Sequence, residues 1–511
     1  MEYHLLSTKV FQYYKYSAVF FGNNVKSNEL VELYETKESK IWVINPNKIN
    51  IDFSLLEKID NIKYHPYDIN GIWAAIIQDK ENNSFRLLTS INNEQPWYYI
   101  TSPKPAVSNN IFLLTDFLED IEPNYRAISS FLSFDFCYGG ETFLSNINKS
   151  YGGDIIYINN NKIKIVSADL NNWLGFDESI YDRNVILDAF ILATDKILKN
   201  QPAQILLTGG SDSRAILAAA LYTKNNFTFM TGTAPSADKK DITLARKISK
   251  RLKVKHDEVD ESKLKIDNFD AAIEKIAILT NTEFIPRNWI MFYKEYAMHE
   301  NKLDGLNRLM GYRGEVFKGF PLNALKSFDN KSTFINERNK KKLKELLYHR
   351  FETYKRISPI NANELFYQRE RDHFWVSGNI KSYQNYCHIY TPFSDNYLLS
   401  LGYRFTGGIR NSKLHENVLG LLPENIRNLP FQSSLLNRVI RHYKRKIFTE
   451  VNYSFMLKPD YIFQNLNMEI INEVITKDML DIIILKYKKN GFYDDIAHKL
   501  FAISYFFKLI Y

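Results

Sequence analysis

The sequence is poor in cysteine, with only Cys137 and Cys387 among 511 residues. Two cysteines this far apart form neither a disulfide framework nor a cysteine-ligated metal site. No stretch approaches the roughly 18 apolar residues that a transmembrane helix needs. The first 15 residues lack the basic segment and apolar core of a secretory signal. We therefore expect a cytosolic protein without a membrane partner.

An excess of charge of one sign is also missing. Lys and Arg number 66 and Asp and Glu 58, so the net charge is only +8. The densest basic runs, 340–344 and 441–446, are typical of solvated helix faces, and we expect no nucleic-acid partner. Hydrophobic residues make up 45% and charged residues 24%, which favours a folded chain with a substantial core. The length predicts two to four domains.

Short apolar, β-type runs dominate the first 170 residues. They are separated by clusters of Asn, Asp and Gly, and they occupy residues 17–21, 40–44, 71–77 and 85–88. Short strands with turn signals between them predict a β-rich domain over 1–170. The polar stretch 169–178 is the predicted linker.

The pattern changes at about residue 180. Helix-like periodicity over 184–199 is followed by a strand-like run at 205–207, a helix pattern at 215–222, a second strand at 227–230 and a helix at 241–252. Strands that alternate with helices predict a parallel sheet with crossovers. Beyond about 330 the pattern is mostly helical, and we assign 180–511 to one domain.

The stretch Ile205-Leu206-Leu207-Thr208-Gly209-Gly210-Ser211-Asp212-Ser213-Arg214 lies where a strand ends and a helix begins. Glycines let the backbone approach a ligand, and the helix presents its positive end to an anion. The hydroxyls of Thr208, Ser211 and Ser213 add donors. The stretch lacks the lysine of a Walker A loop, and it is not a GxGxxG fingerprint. It therefore predicts a phosphate site of another kind.

This loop resembles the pyrophosphate-binding Ser-Gly-Gly-x-Asp-Ser loop of the ATP pyrophosphatase superfamily, with Thr208 in place of the first Ser. The segments that follow, Thr231-Gly232 and Asp241 to His256, are similar to those of asparagine synthetases. The earlier segments 70–79, 88–99, 141–143 and 151–154 resemble the glutaminase-type domain of the same family. The resemblance covers about 65–430.

The resemblance implies an α/β protein: an N-terminal Ntn-hydrolase-like αββα domain, then a parallel-sheet ATP pyrophosphatase (adenine nucleotide α-hydrolase-like) domain with a helical C-terminal part. The family's glutaminase uses an N-terminal Cys, whereas this chain starts Met1-Glu2-Tyr3-His4. We therefore expect no glutamine hydrolysis, as in β-lactam synthetases and lasso-peptide cyclases. In the family's second motif, found here at 310–320, Glu315 matches the last Glu, but Gly314 takes the place of an Asp.

The resemblance also assigns the site. The residues expected at ATP are Leu207, Thr208, Gly209, Gly210, Ser211, Asp212, Ser213, Thr231 and Gly311. The catalytic residues expected are Asp212, Glu315 and Arg214, and Asp212 and Glu315 are the expected ligands of Mg²⁺. Glu315 is alternatively a helix cap, and Arg214 reaches either a phosphate or a carboxylate of the fold. Because one Mg²⁺ ligand is missing at Gly314, Arg313 or Lys318 is a candidate to supply positive charge in its place. Arg427, Lys413 or Lys444 is a candidate for the phosphate-binding Lys of the family.

The function implied is an ATP-dependent, AMP-forming ligase that adenylates a small-molecule or peptide carboxylate and joins it to an amine. Two alternatives stay open: an altered acceptor, such as an amide or urea-like oxygen, and a non-catalytic partner protein in a biosynthetic pathway. Residues of 280–400, including Glu283, Arg287 and Trp289, are expected to select the substrate. The sequence leaves the identity of both substrates and the oligomeric state open.

Overall fold

The computed structural model describes residues 2–13, 17–21, 24–27, 31–44, 52–60, 64–92, 94–159, 162–175, 179–200, 202–233, 239–260, 265–282, 289–299, 307–318, 324–430, 457–490 and 495–511. The described strands form two antiparallel sheets and one parallel sheet, with helices around them. The predicted α/β class is confirmed at this level. None of the described helices is both long and apolar enough to cross a bilayer.

The two antiparallel sheets lie in the N-terminal part. The first has the order β2-β1-β8-β7-β9 and the second the order β11-β10-β6-β5-β4-β3. Their strands are β1 Ala18–Phe21, β2 Asn24–Ser27, β3 Glu32–Glu35, β4 Ser39–Ile44, β5 Ala74–Asp79, β6 Phe85–Thr89, β7 Tyr98–Ile100, β8 Ala106–Ser108, β9 Asn148–Lys149, β10 Ile155–Asn159 and β11 Lys162–Val166. The predicted strand at 71–77 begins only at Ala74.

The second sheet is buried on both faces. Ile41 and Ile77, paired across β4 and β5, belong to a small core that includes Leu56 of helix α2 (Phe53–Lys58). The alternate residue Ile76 belongs to a larger core that also contains Val107 of the first sheet. Because successive residues of a strand point to opposite faces, the inner faces of both antiparallel sheets contribute to one core.

The third sheet is parallel and has the order β14-β13-β12-β15-β16. Its strands are β12 Ala203–Leu206, β13 Phe227–Gly232, β14 His256–Val259, β15 Asn307–Leu309 and β16 His388–Tyr390. From the central strand β12 the chain adds β13 and then β14 on one side. It then returns to the centre and adds β15 and β16 on the other side of β12. The predicted parallel sheet is present, and β16 is an addition that the helical pattern beyond 330 did not reveal.

Helices account for most of the remaining described residues. After α2 they are α3 Tyr125–Phe134, α4 Leu170–Leu174, α5 Arg183–Asn200, α6 Ser211–Tyr222, α7 Lys239–Leu252, α8 Phe269–Thr280, α9 Trp289–His299, α10 Gly314–Lys318, α11 Ala324–Lys331, α12 Glu337–Ile357, α13 Ala362–Phe366, α14 Ser377–Tyr383, α15 Asn396–Arg404, α16 Leu414–Gly420, α17 Glu424–Arg427, α18 Pro459–Gln464, α19 Met468–Asn472, α20 Lys477–Asn490 and α21 Asp495–Ile510. Helix α1, Glu2–Tyr13, precedes β1, and a π-helix, Tyr367–Val376, joins α13 to α14.

The alanine-rich helix α6 lies at the centre of the second large core. Every residue from Ser213 to Ala220 is buried, and the same core contains Ile205 of β12 and Phe190 of α5. Small alanine side chains let α6 lie close to its neighbours on more than one face. The packing thus fixes the first turn of α6 relative to the sheet.

Candidate functional site

The loop 207–210 lies at the reversal point of the parallel sheet. It follows β12, whose neighbours are β13 on one side and β15 on the other. All strands of this sheet are parallel, so the loops after β12 and β15 emerge at the same edge. In open α/β sheets this crevice is the usual ligand position. The structure therefore brings the predicted residues 207–213 together with Gly311.

Hydrogen bonds within the loop hold its shape. The amide of Thr208 donates to Oγ of Ser213 at 3.2 Å, and the amide of Gly210 donates to Oγ1 of Thr208 at 3.1 Å. Neither Gly209 nor Gly210 has a positive φ. The first three amides of α6, those of Ser211, Asp212 and Ser213, have no acceptor within the helix. They are the donors that this geometry can offer to an anion.

Residues of β13 and α7 support the loop from the other side. The amide of Gly209 donates to Oδ1 of Asp241 at 2.5 Å. Thr231 donates its hydroxyl to the carbonyl oxygen of Leu207 at 2.8 Å, and Nε2 of His256 lies 2.9 Å from that hydroxyl oxygen. Thr231, expected at ATP, therefore contacts the loop, and His256 contacts Thr231.

Asp212 is the centre of the site. Its Oδ2 accepts a hydrogen bond from Nζ of Lys318 at 2.5 Å, and its Oδ1 lies 2.7 Å from Nε2 of His415. Although burial favours the neutral acid, the hydrogen bond from His415 and the charge of Lys318 hold the pKa of Asp212 below its usual value. His415 carried no sequence signal, because it lies in a helical segment without a motif.

Two glycines of the loop after β15 make room for Asp212. A Cβ atom on Gly311 would lie 2.5 Å from Cβ of Asp212, and one on Gly314 would lie 2.7 Å from its Cγ. Real Cβ atoms do not approach other atoms this closely. Glycine at position 314 is therefore required by the position of the Asp212 carboxylate.

Glu315 lies in the first turn of α10. Burial, and then the negative charge of Asp212, raises the pKa of Glu315 above its usual value. The negative charge of the Asp212 carboxylate thus opposes the ionisation of Glu315. The helix-cap alternative fits its position in the chain, since it is the second residue of α10.

The described residues do not fit a magnesium site built on Asp212 and Glu315. Both oxygens of Asp212 are already engaged by Lys318 and His415, and Gly314 has no ligand atom in its side chain. Within the described parts of the chain, no three His, Cys, Asp or Glu side chains are grouped to hold a metal ion. A protein-held Mg²⁺ at this pair would have to share the oxygens of Asp212 with Lys318 and His415, and the charge of Lys318 opposes a second cation there.

Arg214 is completely buried. Its two terminal nitrogens donate to the carbonyl oxygens of Leu429 at 2.8 Å and Pro430 at 2.6 Å. Burial lowers the pKa of Arg214, and the charge of Asp241 acts in the opposite sense. In this arrangement the guanidinium supports the chain at 429–430 and lies in the field of the Asp241 carboxylate, and both of its predicted roles stay predictions.

Arg313 joins the N-terminal and C-terminal parts of the chain. It is fully buried and has a φ of +69°, a conformation that is costly for a residue with a side chain. It donates to the carbonyl oxygen of Asn92 at 2.7 Å, to the hydroxyls of Ser377 and Ser394 at 2.9 Å each, and to the carboxylate of Glu94. Arg313 and Lys318 were the two candidates for a positive charge in place of a Mg²⁺ ligand, and of these two Lys318 is the one that contacts Asp212.

Asn92, in one of the segments that resemble a glutaminase domain, and Ile69, next to another, contact the part of the chain that follows β16. Asn92 donates to the carbonyl oxygen of Ser394 at 2.7 Å, and Asn396 donates to that of Ile69 at 3.0 Å. Neither cysteine lies at the start of β1. Sγ of Cys137 is 3.5 Å from the carbonyl oxygen of Ala127. Burial raises the pKa of Cys387 to about 12.

Asp372, in the π-helix, is a candidate that no sequence motif indicates. It is fully buried, and its two carboxylate oxygens have no hydrogen-bond partner among the described residues. Burial raises the pKa of Asp372 to about 7. The positive charge of Arg313 lowers this pKa, and the negative charge of Glu315 raises it. The π-helix places this protonatable group within electrostatic range of Glu315.

The other predicted candidates have partners of their own, are buried in a core, or lie outside the described residues. Arg427 donates to the carbonyl oxygen of Gly420 at 3.3 Å, and Lys413 pairs with Glu416 at 3.4 Å. Trp289 is completely buried in a core. Lys444, Glu283 and Arg287 lie outside the described residues, as does the basic run 441–446.

Two comparisons with known proteins add no relative to this description. No protein-family model matches the chain, and no curated protein matches it. The interpretation of the site therefore depends on its residues and their geometry alone.

Proposed function

We propose that this protein is an ATP-dependent ligase that adenylates a carboxylate and joins it to an amine, with release of AMP and pyrophosphate and without hydrolysis of glutamine. Within this proposal, the antiparallel part is an Ntn-hydrolase-like αββα domain. The parallel part is a synthetase domain of the ATP pyrophosphatase type with a helical C-terminal region. The substrates are ATP, supplied with Mg²⁺, and a small-molecule or peptide carboxylate and amine.

One observation carries the proposal: the loop 208–213 joins the central strand of a parallel sheet to a helix at the strand-order reversal, and Asp212 packs there against Gly311 of the neighbouring loop. A phosphate at this point would meet the first amides of α6 and the ammonium of Lys318 together. The Lys318–Asp212 pair lies only partly exposed, with a quarter of the Lys318 side chain accessible. Charges in such a place act on an anion more strongly than charges in bulk water.

The chemistry assigned to the site has two steps. An oxygen of the substrate carboxylate attacks the α-phosphorus of ATP, and the bond to the β-phosphate oxygen breaks, so that pyrophosphate leaves. The amine nitrogen then attacks the acyl carbon, loses a proton, and AMP leaves. The donors at 211–213 and Lys318 stabilise negative charge on the phosphates, and stabilisation of this kind usually supplies most of the rate acceleration in phosphoryl and nucleotidyl transfer.

Within the proposal glutamine is not the amine source, and the state of Cys387 supports this. A glutaminase nucleophile must exist as a thiolate next to a base. Cys387 is completely buried, and its pKa of about 12 keeps the thiol protonated. The amine is therefore drawn from the substrate itself or from a second substrate.

ATP–pyrophosphate exchange over a panel of carboxylates tests the proposal. The wild type should exchange label in the presence of one class of acid. Asp212→Ala should abolish the exchange, and Asp329→Ala, at an exposed surface pair, should leave it intact. Exchange that needs no carboxylate, or that survives in Asp212→Ala, would contradict the assignment of the reaction to this loop.

A second candidate is a non-catalytic or altered-acceptor homologue that acts as a partner protein in a biosynthetic pathway. The observation in its favour is that Lys318 and His415 already occupy both oxygens of Asp212. Such a protein would bind ATP but give no exchange with any carboxylate. An altered acceptor would instead give exchange with an amide or a urea-like compound.

A further inference from the structure

Both carboxylate oxygens of Asp212 already have side-chain partners at a point where a protein-held metal ion would need the same oxygens. Lys318 occupies Oδ2 at 2.5 Å and His415 occupies Oδ1 at 2.7 Å. The two partners come from different parts of the chain, α10 and α16. The carboxylate is thus neutralised by the protein itself.

The chain around Asp212 is shaped for this arrangement. Gly311 and Gly314 leave the volume that the carboxylate fills, and any side chain at Gly314 would displace it. His415 stacks on Phe393, with ring centroids 5.2 Å apart and planes 10° apart, which fixes the direction of Nε2. The loop after β15, helix α10 and helix α16 therefore together hold one conformation of Asp212.

Lys318 retains the capacity to bind an anion. An ammonium group has three N–H donors, and the hydrogen bond to Asp212 uses one of them. Its side chain is 25% exposed, whereas that of His415 is only 10% exposed. Of the groups on Asp212, Lys318 is the one that both carries a permanent charge and is open to a ligand.

We propose that Lys318 takes the role of a protein-held divalent cation: its ammonium, aligned by Asp212, binds the pyrophosphate portion of a nucleoside triphosphate. This inference deepens the proposed function and rests on it. The Asp212 carboxylate then positions a cation of the protein and does not coordinate a metal ion. A consequence is that nucleotide binding depends on Lys318 and only weakly on Mg²⁺.

Calorimetric titration of the full chain with ATP, once with Mg²⁺ and once with EDTA, tests the inference. The wild type should bind ATP in EDTA within about tenfold of its affinity with Mg²⁺, a difference of about 1.4 kcal/mol. Lys318→Met should weaken binding by at least about tenfold in both conditions. Lys318→Arg, which keeps the charge, should recover part of the loss.

Lys344→Met is the matched control, because Lys344 lies on the exposed side of α12 and pairs only loosely with Asp329 at 3.7 Å. Its affinity for ATP should equal that of the wild type, and thermal unfolding should show that every variant is folded. Wild-type binding that strictly requires Mg²⁺, or Lys318→Met binding equal to the wild type, would overturn the role of Lys318 alone. No ATP binding by the wild type in either condition would overturn the proposed function as well.

Discussion

The carboxylate of Asp212 fills the space that a side chain on Gly314 would need, since a Cβ atom there would lie 2.7 Å from Cγ of Asp212. The two residues are therefore coupled: a side chain can be added at position 314 only if Asp212 gives up its contacts with Lys318 and His415. Glycine at position 314 and the Lys318–Asp212 pair therefore belong to one arrangement.

Substitution of Gly314 by alanine should consequently damage the site more than the rest of the fold. Overpacking of this kind typically costs about 1–3 kcal/mol, and the displaced Asp212 should lower the affinity for ATP. Thermal unfolding and ATP titration measure the two effects. Gly420→Ala is the control, because nothing lies within 4 Å of a Cβ atom added at Gly420. Equal behaviour of the two variants would show that Asp212 is free to move.

Removal of Arg313 should destabilise the whole chain. Arg313→Met leaves the carboxylate of Glu94 buried without its cation, a loss that typically costs about 3–5 kcal/mol. Arg313→Lys should recover only part of this, because an ammonium cannot reproduce the fork of a guanidinium. Denaturant unfolding measures both.

Arg246→Met provides the comparison for Arg313, because Arg246 makes a two-bond pair with Glu258 at 2.6 Å on the surface. Surface pairs contribute little to stability, so this variant should unfold nearly like the wild type. A similar loss in both variants would contradict the structural role of Arg313.

Asp372 should make the protein less stable as the pH rises from about 4 to about 7. Its pKa is about 7 in the folded state and near 3.8 when unperturbed, so between these values the folded chain holds a proton that the unfolded chain releases. The stabilisation is complete below the lower value and is lost as the pH passes the upper one, with an upper limit of roughly 4 kcal/mol. The charges of Arg313, Glu315, Arg371 and Glu94 act on this group.

Asp372→Asn removes that titration, so its stability relative to the wild type should increase between pH 5 and pH 8. Melting temperatures at both pH values test this, with Asp329→Asn as an exposed control. The comparison across pH cancels any constant cost of the new amide. A difference between variant and wild type that stays the same at both pH values would refute the raised pKa.

Both cysteines should behave as structural residues. Cys387 is buried, and its raised pKa removes the thiolate at neutral pH, while Cys137 is partly exposed. A thiol reagent should therefore label Cys137 first, and Cys387 only on unfolding. Mass spectrometry of the native and the unfolded protein distinguishes them. Fast labelling of Cys387 in the native protein would reopen the question of thiol chemistry.

Local sequence patterns predicted the local structure well. The loop 207–213 was found from its residues alone, and helices α5 to α7 and strands β12 and β13 lie within a few residues of the predicted bounds. Each of these depends on periodicity or on a turn between neighbours in the chain. Residues such as Ala215 to Ala220 also show a composition that suits a tightly packed helix.

Contacts between distant residues could not be predicted in the same way. Lys318 and His415 lie 106 and 203 positions from Asp212, and nothing in their local sequence indicates a shared partner. Arg313 was considered as a source of charge, but its role in a buried network depends on Asn92 and Glu94, 221 and 219 positions away. Asp372 is perturbed only because the fold buries it.

The late arrival of β16 has a consequence for synthesis of the chain on the ribosome. Strand β15 is complete at Leu309, but its outer neighbour β16 begins only at His388. The ribosome must therefore add about 80 more residues, which takes several seconds at typical rates of translation. During that interval the backbone donors and acceptors on the outer edge of β15 lack the strand that pairs with them in the finished sheet. Unpaired edges attract other chains, so a nascent or prematurely terminated protein that lacks residues 388–390 should be the form that chaperones bind.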